Sequence, residues 1–503
     1  MKAAAQKVAA PEAAAPTVAV SKVAASKVDP RPIDARGIGL ASPADPVEQS
    51  LYEIRAKIHP RAVNGWFAAW RWGLVWATQL VFYGTAWLDW NGRQAVLFDL
   101  VHRKFYIFGL VFWPQDFIYL TVLLVISALS LFLFTALAGR LWCGYACPQT
   151  VYTEIFLWVE RKLEGDRNQR LKLDQGPLTG RKFALKSAKH AVWGAIALWT
   201  GFTFVGYFTP IHDLLSEVRT FSTGPWESFW IFFYGFATYG NAGWMREQVC
   251  KHMCPYARFQ SAMFDQDTLI IAYDRERGEA RGARSKNADP KSLGLGACVD
   301  CGICVQVCPT GIDIRNGLQY ECIGCAACID GCNQVMDRMG YARNLIGYST
   351  SHAVEHHLTR REMFVRALRP RVLVYFAILA GIVIAATASL TLRVPLKVDV
   401  IRDRAALSRE VEGGFIENVY RLQIMNTVEK ERRFRVRVEG IPAVVVAGGG
   451  LIELASASTQ MVAVKVRVQP DQLRPGTHKI RFVVEAEDDA QVVVNEKSVF
   501  ILR

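Results

Sequence analysis

"CVDCGICVQVCP" (298–309) and "CIGCAACIDGC" (322–332) each hold four cysteines at the spacing Cys-x2-Cys-x2-Cys-x3-Cys. Three closely spaced thiolates can wrap three corners of an iron–sulfur cubane, and the fourth cysteine of each run reaches the other cluster. The spacing therefore predicts one [4Fe–4S] cluster on Cys298, Cys301, Cys304 and Cys332, and a second on Cys322, Cys325, Cys328 and Cys308. Small residues at Gly302, Gly324, Ala326 and Ala327 let the backbone approach the sulfides. Pro309 follows the first run; Asn333 stands in the matching place after the second, which loosens the turn but removes no ligand. Two structural zinc sites are the competing reading, yet zinc usually takes two separated Cys-x2–4-Cys knuckles. A two-cluster module shuttles single electrons, so it is a wire rather than a catalyst. No nucleotide motif feeds it: "LGLGA" (293–297) runs straight into Cys298 without strand–helix context. A flavin or nicotinamide donor would be another protein, or the donor is a quinol in the membrane.

The rest of the chain is apolar in blocks. Its 503 residues are 51% hydrophobic and too many for one ordinary domain. About five segments approach the length that crosses a hydrocarbon core: 68–90, 114–137, 188–210, 226–244 and 372–392. The fourth is short and rich in Gly, Asn and aromatic residues. Residues 1–65 have no apolar h-region and read as a disordered basic leader, not a secretory signal peptide. Cytoplasmic loops carry the excess of Lys and Arg. Residues 139–189 hold ten, the loop 91–113 three, and the loop 211–225 only Arg219. An inside N-terminus, five spans and an outside C-terminus satisfy this pattern. The net charge of +13 is then topology and solvated surface. No aromatic-and-basic motif supports nucleic-acid binding.

All twelve cysteines fall in four tight groups on the expected cytoplasmic side, and none in 393–503. Structural disulfides favour the oxidising side, so this distribution points to metal or redox chemistry. The other two groups are "CGYACP" (143–148) and "CKHMCP" (250–255), each at the end of an apolar run. On a helix Cys143 and Cys147, like Cys250 and Cys254, lie at i and i+4 and face one side. Pro148 and Pro255 disfavour helix at the preceding cysteine, so each pair is expected at a helix end, one thiol on the last turn and one at the break. An even number of spans separates the pairs, so the four thiols can converge. Soft thiolates suit Cu(I), zinc or another Fe–S cluster. His252 and Met253 add an imidazole and a thioether that copper accepts. A cysteine near a helix end is commonly a small packing residue; the repeat with its proline favours a metal or redox site. His252 alone reads as interfacial.

Arg71 and Asp116 lie within or beside apolar spans, where charge is costly, and are functional candidates, with snorkelling to the headgroups the competing reading. His352, His356 and His357 precede the last span; the first two share a helical face that reads as interfacial. The C-terminal 110 residues alternate apolar and polar positions in seven short stretches, from "LKVDVIRD" to "KSVFILR". That rhythm predicts an antiparallel immunoglobulin-type sandwich without a site of its own.

"FWPQDFIYL" (112–120), "GRLWCGYACPQTVYTEIFLWVERKLEGDR" (139–167), "YGNAGWMREQVCKHMCPYARFQSAMFD" (239–265) and "CPTGIDIRNGLQYECIGCAACIDGC" (308–332) resemble the CcoG/FixG/RdxA family of cytochrome c oxidase accessory proteins. The likeness runs from about residue 50 to the end. It implies a bacterial inner-membrane Fe–S protein, multi-pass, that serves assembly of cbb-type cytochrome oxidase and reduces Cu(II) to Cu(I) for its copper site. The eight ferredoxin cysteines then ligate two [4Fe–4S] clusters. Cys143, Cys147, Cys250 and Cys254 match the family's membrane motifs and form a copper or electron-relay site, with copper the further metal. The partners implied are the oxidase assembly machinery, a copper transporter or chaperone, and an unidentified electron donor. The expected fold is a polytopic α-helical membrane protein with an inserted two-cluster bacterial-type ferredoxin domain and a C-terminal immunoglobulin-like β-sandwich. Its expected parts are the leader 1–65, a four-span membrane domain 66–245, a cytoplasmic ferredoxin-type region 246–371, a fifth span 372–392 and a periplasmic sandwich 393–503. Two rivals stand beside it: a ferredoxin-like subunit passing quinol electrons to a periplasmic reductase, and a non-catalytic scaffold or redox sensor.

Overall fold

The structure, a computed structural model, describes residues 57–403, 408–442, 445–448 and 450–502. Most of the expected leader, 1–56, lies outside the described residues. Its end is tied down: Arg61 N–H donates to Gln306 O at 2.8 Å, and Ala62 N–H to Asp166 Oδ1 at 3.0 Å.

Helix α1 (Trp66–Gly84) leads into five short strands, β1 (Asp89–Trp90), β2 (Arg93–Gln94), β3 (Val96–Asp99), β4 (Lys104–Ile107) and β5 (Leu110–Phe112). Strands β3, β4 and β5 form an antiparallel meander where the sequence reading saw only a loop. Helix α2 (Phe117–Ala138) is an unbroken apolar run and ends at Gly139, whose φ of +54° suits a residue without a side chain. After α3 (Leu141–Tyr145), α4 (Pro148–Glu164) and α5 (Arg167–Gln175), α6 (Gly180–Val205) returns along α4. Helix α7 (Ile211–Thr220) precedes α8 (Pro225–Thr238), which passes into π-helical turns at Tyr239–Met245 and Val249–Met253. At the α6–α8 crossing a Cβ on Gly201 would lie 2.2 Å from Ile231 O, so only glycine lets the backbones approach this closely.

Helices therefore cover all five apolar segments, but only two are long and apolar enough to span by themselves. These are α2 with its leading turn (mean hydropathy 2.6) and α15 (Pro370–Thr391, mean hydropathy 2.3). Arg71 interrupts α1, Arg181, Lys182, Lys186 and Lys189 charge the first half of α6, and α8 has 14 residues.

Between α8 and α15 come α9 (Pro255–Met263), β6 (Ile270–Tyr273), α10 (Arg275–Gly278), α11 (Ile303–Gln306), α12 (Ala327–Met339), β7 (Ile346–Ser349), α13 (Ser351–His356) and α14 (Arg360–Ala367). Strands β6 and β7 pair antiparallel and bracket both cysteine runs.

The C-terminal part has nine strands: β8 (Leu396–Arg402), β9 (Arg409–Val411), β10 (Phe415–Asn426), β11 (Arg432–Glu439), β12 (Val445–Ala447), β13 (Leu451–Leu454), β14 (Thr459–Val468), β15 (Gly476–Ala486) and β16 (Val493–Leu502). One sheet runs β12-β14-β10-β8 with β9 beside β10, and the other runs β13-β11-β15-β16. Alternation aims Tyr420, Leu422 and Ile424 at Phe482, Val484 and Phe500 across a sealed core. The seven expected strands are present; β9 and β13 are the short additions.

The sandwich is clamped to the loops between α1 and α2. Val111 and Trp113 pack with Met425 and Ala457, and Arg93 Nε donates to Glu429 at 2.7 Å. Buried Asp116 pairs with Arg393 at 2.8 Å and with Lys397. Asp116 thus does not snorkel: it is the counter-charge that seats the sandwich. Asp116→Ala leaves two cations uncompensated and is expected to cost about 3 kcal/mol. Hydrogen exchange over residues 108–117 and 393–400 reads this, and unchanged protection would contradict the clamp.

Candidate functional site

The two cysteine runs use the same backbone device. Asp300 (φ +50°) and Gly302 (φ +63°) flank Cys301, and Gly324 (φ +68°) and Ala326 (φ +58°) flank Cys325. Left-handed residues alternating with right-handed ones turn successive N–H groups inward, which makes a cradle for anionic sulfur. The fourth cysteine of each run crosses to the other. Cys332 lies among Cys304, Cys298 and Cys301, whose charges raise it. Cys322, Cys325 and Cys328 each feel Cys308. Burial foremost, then these neighbours, pushes the Cys322 and Cys332 thiols up to about 12; burial takes Cys304 to about 11. As bare thiols they hold their protons at neutral pH, and a cationic core is what would ionise them. Among the described residues no three His, Cys, Asp or Glu side chains are close enough to share a single metal ion. The donor set and both cradles fit a cubane.

The second run is docked onto the ends of α1 and α3. Asp330 of α12 accepts from the N–H groups of Phe67 (3.3 Å) and Ala68 (2.7 Å), capping α1 from another part of the chain. Arg71 returns the contact, donating to Cys325 O at 3.2 Å. Arg140 donates to Tyr320 O and Ala257 O, and Tyr348 donates to Gly324 O at 2.7 Å. Gly144 fits against the run so closely that a Cβ would lie 2.7 Å from Cys325 Cα and 2.8 Å from Ile323 O. Arg71 therefore turns inward to the ferredoxin backbone and does not snorkel.

Docking brings the other cysteine pairs to the same place. Cys143 sits within α3 and Cys147 is extended (φ −61°, ψ 128°) before Pro148; Cys250 lies in a π-helical turn and Cys254 is extended (φ −77°, ψ 110°) before Pro255. Each pair thus has one thiol on a turn and one at the break. Cys143 and Cys250 pack against the cluster of Val307, Ile323, Cys325 and Ala327, with Cys328 beside them. Burial, then the other thiols of the group, pushes Cys143 up to about 11 and Cys250 up to about 12. Cys143 Sγ reaches Gln260 Oε1 at 3.5 Å. His252 and Met253 are exposed beside Cys254. His352 and His356 meet edge to face at 4.6 Å on α13, with His352 tied to Asp267 at 3.2 Å, and His357 faces Glu276 at 3.4 Å.

A buried charge network holds the segment leading into the π-helical turn that carries Cys250. Glu160 is fully buried and binds Arg246 (2.6 Å), Arg170 (2.9 Å) and Lys189 (3.6 Å). Burial pushes its carboxyl up, but Arg246, Lys189 and Arg170 outweigh this and hold it at about 2. Burial also pulls Arg170 down, which offsets part of what Glu160 gains. The sequence carried no sign of Glu160, Arg140 or Asp330, because each acts across a long sequence gap; Gly144, inside "CGYAC", was the one visible hint.

Family models place a 4Fe-4S dicluster domain at residues 245–351 and the immunoglobulin-like fold at the C-terminus of FixG at 386–503. A further 4Fe-4S binding domain model matches residues 120–165, the stretch that holds Cys143 and Cys147. "Nitrogen fixation protein FixG" of Rhizobium meliloti (strain 1021) is 37% identical over 488 residues, 90% of this chain and 92% of its own length. "Protein RdxA" of Cereibacter sphaeroides is 39% identical over 428 residues, 83% of this chain and 90% of its own. "Ferredoxin-type protein NapH" of Haemophilus influenzae is 24% identical over 221 residues, 42% of this chain and 65% of its own. These features define a membrane-associated iron–sulfur electron-transfer protein. The chain belongs to the FixG/RdxA family.

Gly144→Val drives a side chain into the backbone of Cys325, so purified protein is expected to lose about half its iron, the share of one of two cubanes; full iron content would contradict the docking. The depressed Glu160 pKa contributes stability above the ordinary carboxyl range, and it is lost as pH falls through about 2. Glu160→Gln is therefore expected to be less stable than wild type by on the order of 2 kcal/mol at neutral pH. The gap should narrow between about pH 4.5 and 2 in thermal unfolding scans, and a pH-independent gap would sink the ion-pair account.

Proposed function

We propose that this chain is a bacterial inner-membrane cupric reductase that supplies Cu(I) for the copper site of a cbb-type cytochrome c oxidase. The observation that carries the reading is the packing of Cys143 and Cys250 beside Cys325 and Cys328. In this reading Cys298, Cys301, Cys304 and Cys332 hold one [4Fe–4S] cluster, and Cys322, Cys325, Cys328 and Cys308 the other. Bound clusters supply single electrons, which matches the one-electron change from Cu(II) to Cu(I).

Cys143, Cys147, Cys250 and Cys254 receive the copper ion as substrate. Their thiols give up protons as metal binds, and soft thiolates favour the Cu(I) product. Exposed Met253 and His252 mark the side by which copper arrives and leaves toward a transporter or chaperone. Five crossings, with the clusters cytoplasmic and the sandwich periplasmic, agree with the Lys and Arg bias. They also agree with the ferredoxin run meeting α1 at Ala68 while the sandwich meets the loops at the far end of α1.

The test uses cluster-loaded protein, reduced anaerobically, freed of reductant and given Cu(II) with a Cu(I)-specific chelator. About two equivalents of Cu(I) should form, one per cluster. The variant with Cys143, Cys147, Cys250 and Cys254 all changed to Ser should keep its iron but slow at least about tenfold. An unchanged rate would remove the thiols from the copper step.

A further inference from the structure

Between α1 and α4 a groove of 530 Å³ opens beside the second cysteine run. Trp72, Trp76 and Trp158 form its walls, and Arg71 and Glu154 close its inner end over Pro309. Trp72 and Trp158 meet edge to face at 6.5 Å. Arg71 and Glu154 also line a smaller cavity of 40 Å³ that continues to Cys250 and Cys325. The groove thus ends at the chain segments that carry Cys308 and Cys325.

We propose that this groove binds a membrane quinol and is where electrons enter the protein, a proposal that rests on the electron-transfer reading above. The volume is that of a small-molecule site. Flat indole faces suit a planar ring, and the inner end offers a carboxylate and a guanidinium to its two oxygens. Trp72, Trp76 and Leu80 lie at i, i+4 and i+8, so an apolar stripe leads from the groove along α1; Trp76 is 63% and Leu80 67% exposed. An isoprenoid tail would follow that stripe into lipid. Glu154 pairs at 3.0 Å with Arg161, which also lines the groove.

The step balances. Both O–H bonds of the quinol break, leaving the quinone. Its two electrons would pass, one each, to the two [4Fe–4S] clusters that the eight ferredoxin cysteines would hold. Its two protons pass in turn to the Glu154 carboxylate and from there to water beside Arg161.

The test uses the full, cluster-loaded chain in phospholipid nanodiscs. An azido-quinone photolabel should mark peptides of α1 and α4 around Trp72, Trp76 and Trp158, and decylubiquinone should compete it away. Trp72→Ala with Trp158→Ala should cut the labelling at least about fivefold, as loss of stacking area in a buried site does. Glu154→Gln should keep the label and the iron but slow bleaching of the clusters by decylubiquinol at least about tenfold. Label spread evenly over lipid-facing helices, with no competition, would mean that the groove holds only lipid and would overturn the proposal. Equal bleaching of wild type and both variants would overturn it too. Copper reduction by chemically reduced wild type is read separately: its failure removes the reductase reading without touching the quinol site, and its success with no competed label removes only the quinol site.

Discussion

The second cysteine run is held against helices α1 and α3 by an exchange of buried charge for backbone. Asp330 caps α1, and Arg71, from the first turns of that helix, answers by taking the carbonyl of Cys325. Either charge alone would be costly to bury; together with the helix terminus and the loop carbonyl each is solvated by the other part of the chain. Arg140 does the same for Tyr320 and Ala257, and Gly144 removes the side chain that would keep the surfaces apart. Everything proposed for the molecule depends on this contact.

The contact also explains why the cysteine pairs sit at broken helix ends. A continuous helix would carry Cys143 and Cys147 past the ferredoxin surface. Pro148 and Pro255 stop the helices instead, leaving Cys147 and Cys254 extended and their partners on the preceding turns. The π-helical turns before Cys254 widen the backbone at the same place, a feature that recurs at functional sites because it spoils regular hydrogen bonding. Glu160 locks Arg246, and with it the segment that leads to Cys250, against α4, while Arg170 and Lys189 share the same carboxylate. At the far end Asp116 fixes the sandwich. The helical part is thus braced by buried ion pairs at both ends.

Much of this was legible in the residues. The cysteine spacings marked the two ferredoxin-type runs, and a 4Fe-4S dicluster domain matches there, over residues 245–351. Proline placement predicted the helix breaks, and period-2 alternation the sandwich. What sequence reading missed shares one cause. Asp330 with α1, Arg140 with Ala257 and Asp116 with Lys397 are contacts between residues more than a hundred positions apart. No local pattern marks such pairs. Arg71 and Asp116 stood out as charges in apolar surroundings, but their partners lie in other parts of the chain, so the sequence offered snorkelling where the fold offers an ion pair or a carbonyl. The apolar segments illustrate a second limit: α1, α6 and α8 are helical, yet the charges and breaks they carry leave α2 and α15 as the two that pass as spans on their own composition.

The central claim is that the docked cysteine run and the helix-end thiols form one electron path. Rapid-freeze-quench EPR on pre-reduced protein mixed with Cu(II) tests it directly, because both ends of the path are paramagnetic at the start. The account predicts that the Cu(II) signal and the reduced-cluster signal disappear together, one copper for each cluster electron. Clusters that stay reduced while the Cu(II) signal persists would contradict it.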